Sequence, residues 1–269
     1  MTGYTIRVGS VTLVDDNDAC HVNTITGFSG VPRRRPLGSP LGMFEPMEGT
    51  VTLTVTGDAP AAPGVPTAAD LHVQLEHNVA YVLAELSRAT VQLSRSHPGA
   101  DTRTRSVRLS DPIVMAEEFG SPIGAVVIIP GSDPGGFWVG PSLPGTSRSI
   151  GQTLPGRDTE YVSRGALAPN LTGEIVIVGP VSNPEVVWGD GYLWYSGAVA
   201  AGDVLRINAG TRQVSLNGAP VPPSSLRQVS NSAPPGQLFV HDPARPLTVR
   251  SRDGGSSGTW QLNGRYRYF

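Results

Sequence analysis

Five histidines, twenty-two carboxylates and one thiol are the side chains from which this sequence could build a reactive centre. A zinc-protease site needs two histidines one helical turn apart, with a glutamate between them. His72 and His77 are five apart, on different faces of a helix, and His21, His97 and His241 belong to no such pattern. All five read as surface or packing residues. Asp15, Asp16, Asn17 and Asp18 invite a calcium reading. An EF-hand loop, however, needs alternating ligands, a central glycine and a glutamate at the twelfth position, so the run reads as an acidic turn. Glu117 and Glu118 are adjacent; on a strand they point to opposite faces and cannot flank one glycosidic bond. Cys20 is the only cysteine, which excludes an intrachain disulfide and a thiolate zinc site. It reads as a small buried hydrophobe. All 20 basic residues are arginine, which removes Schiff-base and P-loop-lysine chemistry. No Gly-x-Gly-x-x-Gly pattern is present. The expectation is a non-enzymatic chain with no catalytic residues, cofactor or metal.

The elements that would carry any site are strands. With 33 glycines and 25 prolines among 269 residues, helices are interrupted and short strands punctuated, which favours a β-rich fold. Length predicts two domains, placed at residues 1–115 and 116–269. In the first, Thr50 to Thr56 alternates valine or leucine with threonine at period two, the cleanest strand in the chain. Val91–Arg95 and Arg105–Leu109 are expected to pair as a hairpin, with Ile113–Met115 extending the sheet. One helix is predicted over Ala68 to Arg88. Its buried stripe is Leu71, Leu75, Val79, Val82 and Leu86, and Thr67 with Asp70 resembles a capping box. Ala125 to Ile129 is assigned to the second domain as a buried strand. Residues 130–164 read as strands joined by long loops around Phe137-Trp138-Val139.

Farther on, Glu174–Val178, Val186–Trp188, Tyr192–Tyr195, Val204–Ile207, Val214–Leu216, Leu238–Val240, Leu247–Val249, Trp260–Leu262 and Tyr266–Phe269 are short strands spaced as in a β-sandwich. Asn217-Gly218 marks a tight turn. Asn170-Leu171-Thr172 fits a glycosylation sequon by chance. The near-neutral net charge of −2 and the scattered arginines give no nucleic-acid footprint. No apolar run is long enough to span a bilayer. The N-terminus lacks the pattern of a signal peptide, so synthesis in the cytosol is expected.

The span Leu167 to Gly218 resembles the C-terminal domain of siphophage distal tail proteins, a phage minor tail component family. The residues that carry the resemblance are Ala168-Pro169, Ile175-Val176-Ile177-Val178-Gly179-Pro180, Asn183-Pro184, Ala201-Gly202-Asp203-Val204-Leu205-Arg206-Ile207 and Arg212-Gln213-Val214-Ser215-Leu216-Asn217-Gly218. The motif Ile25-Thr26-Gly27-Phe28, the long loop after it, Val51 to Gly57 and the helix match the family's split-barrel domain more loosely. The fold this implies is mostly β: an N-terminal split-barrel-like β domain with one helix, then a C-terminal galectin-like β-sandwich. The function it implies is that of a virion structural protein, assembled in the host bacterial cytoplasm and located at the phage tail tip. It would form a homo-oligomeric ring, a hexamer, around the DNA channel, joining the tail tube protein to the tip or baseplate hub protein, with the tape measure protein as a further partner. The N-terminal domains would close the ring and the sandwiches would project outward. Candidate intersubunit contacts are Phe28, Arg33, Arg34, Arg35, Phe44, Val51 and Leu53. The alternative is a carbohydrate-binding module for host attachment, with Trp188, Tyr192 and Trp194 as the sugar-binding set.

Overall fold

The computed structural model describes residues 5–8, 11–14, 19–28, 46–87, 90–96, 99–110, 113–116, 124–133, 136–168, 173–189, 191–208, 211, 213–229 and 241–269. The described chain is mostly β and divides into two compact units. One takes the described residues up to Val139 together with Phe269, and the other is Gly140–Tyr268.

The first unit contains β1 (Thr5–Val8), β2 (Val11–Val14), β3 (Cys20–Thr26), β4 (Met47–Thr56), α1 (Leu71–Leu86), β5 (Val91–Ser96), β6 (Arg103–Leu109), β7 (Ile113–Ala116) and β8 (Gly124–Asp133). Their order in a curled sheet is β2-β1-β5-β6-β8-β4-β3, with β7 also on β8. The period-two pattern of β4 has the predicted effect. Val51, Leu53 and Val55 are buried and stand directly opposite Ile129, Val127 and Ala125 of β8, while the threonines take the other face. β5 and β6 form the expected hairpin, Val91 opposite Val107. The boundary expected at residue 115 falls inside this unit. β8 pairs with β4 along its whole length, and a ten-residue antiparallel ladder cannot be divided between two compact bodies.

α1 begins at Leu71, where the Asp70 carboxylate accepts hydrogen bonds from the His72 and Val73 amides at 2.9 and 3.1 Å. Leu75, Val82 and Leu86 are buried as the stripe requires, but Leu71 is 43% exposed and the remaining buried places belong to Gln74 and Asn78. Asn78 explains the exchange. Its Nδ2 donates to the Thr56 and Ala59 carbonyls at 2.7 Å each, and its Oδ1 accepts from the Ala61 amide at 2.9 Å and from Gln74 Nε2 at 3.0 Å. A buried amide with full hydrogen bonding ties the turn after β4 to the helix.

β9 (Trp138–Ser142) runs across the junction between the units. Beyond it come β10 (Arg148–Ser149), β11 (Thr153–Leu154), α2 (Thr159–Ser163), β12 (Glu174–Val178), β13 (Val181–Ser182), β14 (Pro184–Trp188), β15 (Gly191–Tyr195), β16 (Ala198–Val199) and β17 (Val204–Asn208). The series ends with β18 (Gln213–Leu216), β19 (Ala219–Pro220), β20 (Leu226–Val229), β21 (Leu247–Ser251), β22 (Thr259–Asn263) and β23 (Arg265–Tyr268). One sheet is ordered β10-β22-β12-β17-β18-β19, the other β11-β21-β14-β15-β20. Their inner faces meet in a single core in which Ile175, Ile177, Leu205, Ile207 and Trp260 pack with Val186, Trp188, Leu193, Leu247 and Val249, as in a sandwich. Asn217 and Gly218 both take positive φ, +52° and +83°, the geometry of the predicted tight turn. The expected strand at Leu238–Val240 lies outside the described residues.

Candidate functional site

Two polar constructions stand out, one in each unit. In the first, Arg105 on β6 lies fully buried. Its Nε is 3.1 Å from Asp133 Oδ2 and its Nη1 donates to the Phe28 carbonyl. Nη2 reaches the Gly136 carbonyl at 3.4 Å, and the guanidinium carbon is 4.8 Å from the Trp138 ring centroid. Burial lowers the Arg105 pKa, and the Asp133 charge opposes that shift. The ion pair holds the chain in place where β3 ends and the long Gly/Pro-rich segment begins.

This geometry bears on the candidate intersubunit residues. Phe28, Val51 and Leu53 are all buried in the core of their own chain, so their side chains have no surface to give to a neighbour, and that part of the expectation is corrected. An alternating strand with one face on the core presents only its other residues outward. Arg33, Arg34, Arg35 and Phe44 lie outside the described residues.

In the second unit, alternation on β14 and β15 sends Val186, Trp188 and Leu193 into the core and turns Glu185, Tyr192 and Trp194 outward. Antiparallel pairing sets Arg250 of β21 opposite Glu185, and Glu185 opposite Trp194, which in turn faces Arg227 of β20. The Glu185 side chain, 4% exposed, receives Arg250 Nε at 2.6 Å and has Arg252 Nη1 at 3.6 Å. The Arg252 guanidinium lies over the Trp194 ring, 4.2 Å from its centroid, a cation–π contact. The result is an outer face that carries Tyr192, Trp194 and Arg227 beside one buried carboxylate held by two arginines.

The proposed sugar-binding set is therefore not brought together. Trp188 belongs to the sandwich core, on the opposite side of the sheet from Tyr192 and Trp194. Trp194 carries a guanidinium on its ring, so it is no open platform for a sugar. Trp188 shares the apolar alternation of Val186, which assigned it to one face without saying which face was covered.

A third cluster is structural. α2 starts at Asp158, whose carboxylate accepts from the Glu160 amide at 2.9 Å. It places Tyr161 edge-on to His241 and to Tyr266, with ring centroids 5.8 and 5.4 Å away. Burial lowers the His241 pKa to about 4, with a further contribution from the Arg148 charge. Burial also raises both tyrosine hydroxyls above their ordinary range. Among the described residues, no group of three His, Cys, Asp or Glu side chains converges on a point where a metal could sit.

No protein-family model and no curated protein matches the chain. The fold, a curled sheet carrying one helix followed by a two-sheet sandwich, is similar to that of the Dit (gp 19.1) protein of phage SPP1, described as a paradigm of the hub adsorption apparatus in phages that infect Gram-positive bacteria. The two superimpose with a TM-score of 0.54 over 98% of this chain and 99% of that one, at 14% identity. Structures of the phage p2 baseplate in its activated conformation, with calcium and with strontium, are similar with TM-scores of 0.40 and 0.39, 10% identity and 98% of each chain covered. The likeness is one of fold, the same one implied by the turns between Leu167 and Gly218.

Proposed function

We propose that the chain is a structural protein of a long-tailed bacteriophage, located at the distal end of the tail. In this reading it forms a ring of six copies around the DNA channel, joins the tail tube protein to the tip or baseplate hub protein and performs no catalytic step. The observation that carries the reading is end-to-end correspondence with SPP1 Dit: 98% of one chain and 99% of the other are covered, with a TM-score of 0.54. A chain that had borrowed only the sandwich would match only half. Ring closure requires a heterologous interface, one patch meeting a different patch on the next copy, and a stable contact of this kind buries on the order of 1,200–2,000 Å².

Native mass spectrometry of the purified chain over a range of concentrations tests the proposal. The expected result is a closed oligomer with six copies as the main species. A chain that stays monomeric even with purified tail-tube and tip proteins present refutes it.

A further inference from the structure

The two halves of the chain carry opposite charge. Residues 1–139 hold 14 acidic residues and 9 arginines, a net of −5, and residues 140–269 hold 8 and 11, a net of +3. Both signs reach the surface on faces that also expose apolar groups. On the sandwich, Tyr192 and Trp194 are half-buried and flanked by Arg227, Arg250 and Arg252, with Arg250 58% exposed at its side chain. Glu185 lies beneath the last two and is neutralised by them, which leaves the face net positive. Trp, Tyr and Arg are the residue types that dominate protein–protein contacts.

The complement is on α1. This helix contains no arginine or lysine. Its first turns expose Leu71 and Val73, at 43% and 41%, between the exposed carboxylates of Asp70 and Glu76. A helix with apolar residues on its outward side as well as its inward one is normally covered on both.

We propose that the Tyr192–Trp194–arginine face of one copy docks on the acidic, apolar start of α1 on a second copy. Resting on the ring reading above, this inference adds a contact between the sandwich of one copy and the first unit of the next to those through which the N-terminal domains would close the ring. Leu71 and Val73 would meet Tyr192 and the apolar stem of the Arg252 that covers Trp194, and Asp70 and Glu76 the arginines. Stacking on Trp194 and pairing with Glu185 already hold Arg252 in place, so little side-chain freedom remains to be lost on binding.

Sedimentation velocity of the full chain tests the contact, using Glu76→Arg, Arg227→Glu and the two together. Both positions are exposed, and neither Arg227 nor Glu76 takes part in the Glu185 ion pairs. Circular dichroism and tryptophan fluorescence confirm that each variant is folded. Each single reversal should weaken self-association at least tenfold, and the double reversal should restore it, because the swapped charges again attract. Parent-like assembly by both single variants overturns the contact but leaves the ring reading standing. Single variants that both dissociate without rescue in the double also overturn the pairing. A parent chain that remains monomeric at every concentration overturns the ring reading, and the contact with it.

Discussion

Lowering the pH from about 7 to about 4.5 should weaken the second unit through one side chain, His241. Its imidazole is buried against the edge of Tyr161, and burial together with the Arg148 charge lowers its pKa from 6.5 to about 4. In the unfolded chain the ring takes up a proton below 6.5, whereas in the folded chain it stays neutral down to about 4. The unfolded state therefore binds more protons in that window, and stability falls as pH falls through it. The contribution is complete above about pH 6.5 and lost by about pH 4. Between pH 7 and 4.5 the linkage amounts to about 2 kcal/mol, a large share of the roughly 5–15 kcal/mol that holds a domain folded. Urea titrations at the two pH values, followed by the fluorescence of Trp188, Trp194 and Trp260, measure it. Carboxylates also titrate in this range, so His241→Phe, which cannot take a proton, is measured alongside. The parent should lose about 2 kcal/mol more than the variant. Equal losses refute the reasoning, as does an imidazole NMR resonance of His241 that titrates near 6.5 in the folded protein.

Arg105→Met removes the Arg105 partner of the buried Asp133 carboxylate in the first unit and should cost about 3–5 kcal/mol in chemical denaturation, while Arg105→Met with Asp133→Leu recovers most of the loss. Asn78→Ala leaves the Thr56 and Ala59 carbonyls and the Ala61 amide without their partner; a loss of about 3 kcal/mol is expected, and an unchanged urea midpoint contradicts the bonding described. Cys20, whose thiol burial raises to about pKa 12, should resist Ellman's reagent in the native chain and react at once in denaturant. Rapid native labelling would show that the start of β3 opens.

Periodicity made much of the fold readable from sequence. The alternation of Thr50 to Thr56, the β5–β6 hairpin, the Asn217-Gly218 turn and most strands of the sandwich are local patterns found where they were expected, whereas β23, expected in the sandwich, pairs with β9 and belongs to neither of its sheets. What escaped the sequence depends on partners distant in the chain. β8 has the composition of a buried strand in either domain; only its register with β4 assigns it to the first. α2 spans five residues, too few for a helical period to emerge, and its one signal was Asp158 as a cap. Leu71 fits the helical stripe by spacing, yet hydrogen bonds of Gln74 and Asn78 to backbone groups outside the helix decide which side is buried.

The same distinction explains why the candidate surfaces were only half legible. Spacing alone put Tyr192 and Trp194 on one side of β15, but Arg252, which closes over Trp194, and Arg250, which neutralises Glu185, arrive from a strand far along the chain. A catalytic motif is recognisable because chemistry demands particular atoms at particular separations. An assembly surface needs only matching sign and shape, a demand that many residue combinations satisfy. A chain that works by assembly, as proposed for this one, can share a fold with another protein at 14% identity and leave few residues that mark the contact by type. The charge swap between Glu76 and Arg227 is informative for that reason: it tests complementarity itself rather than the identity of either residue.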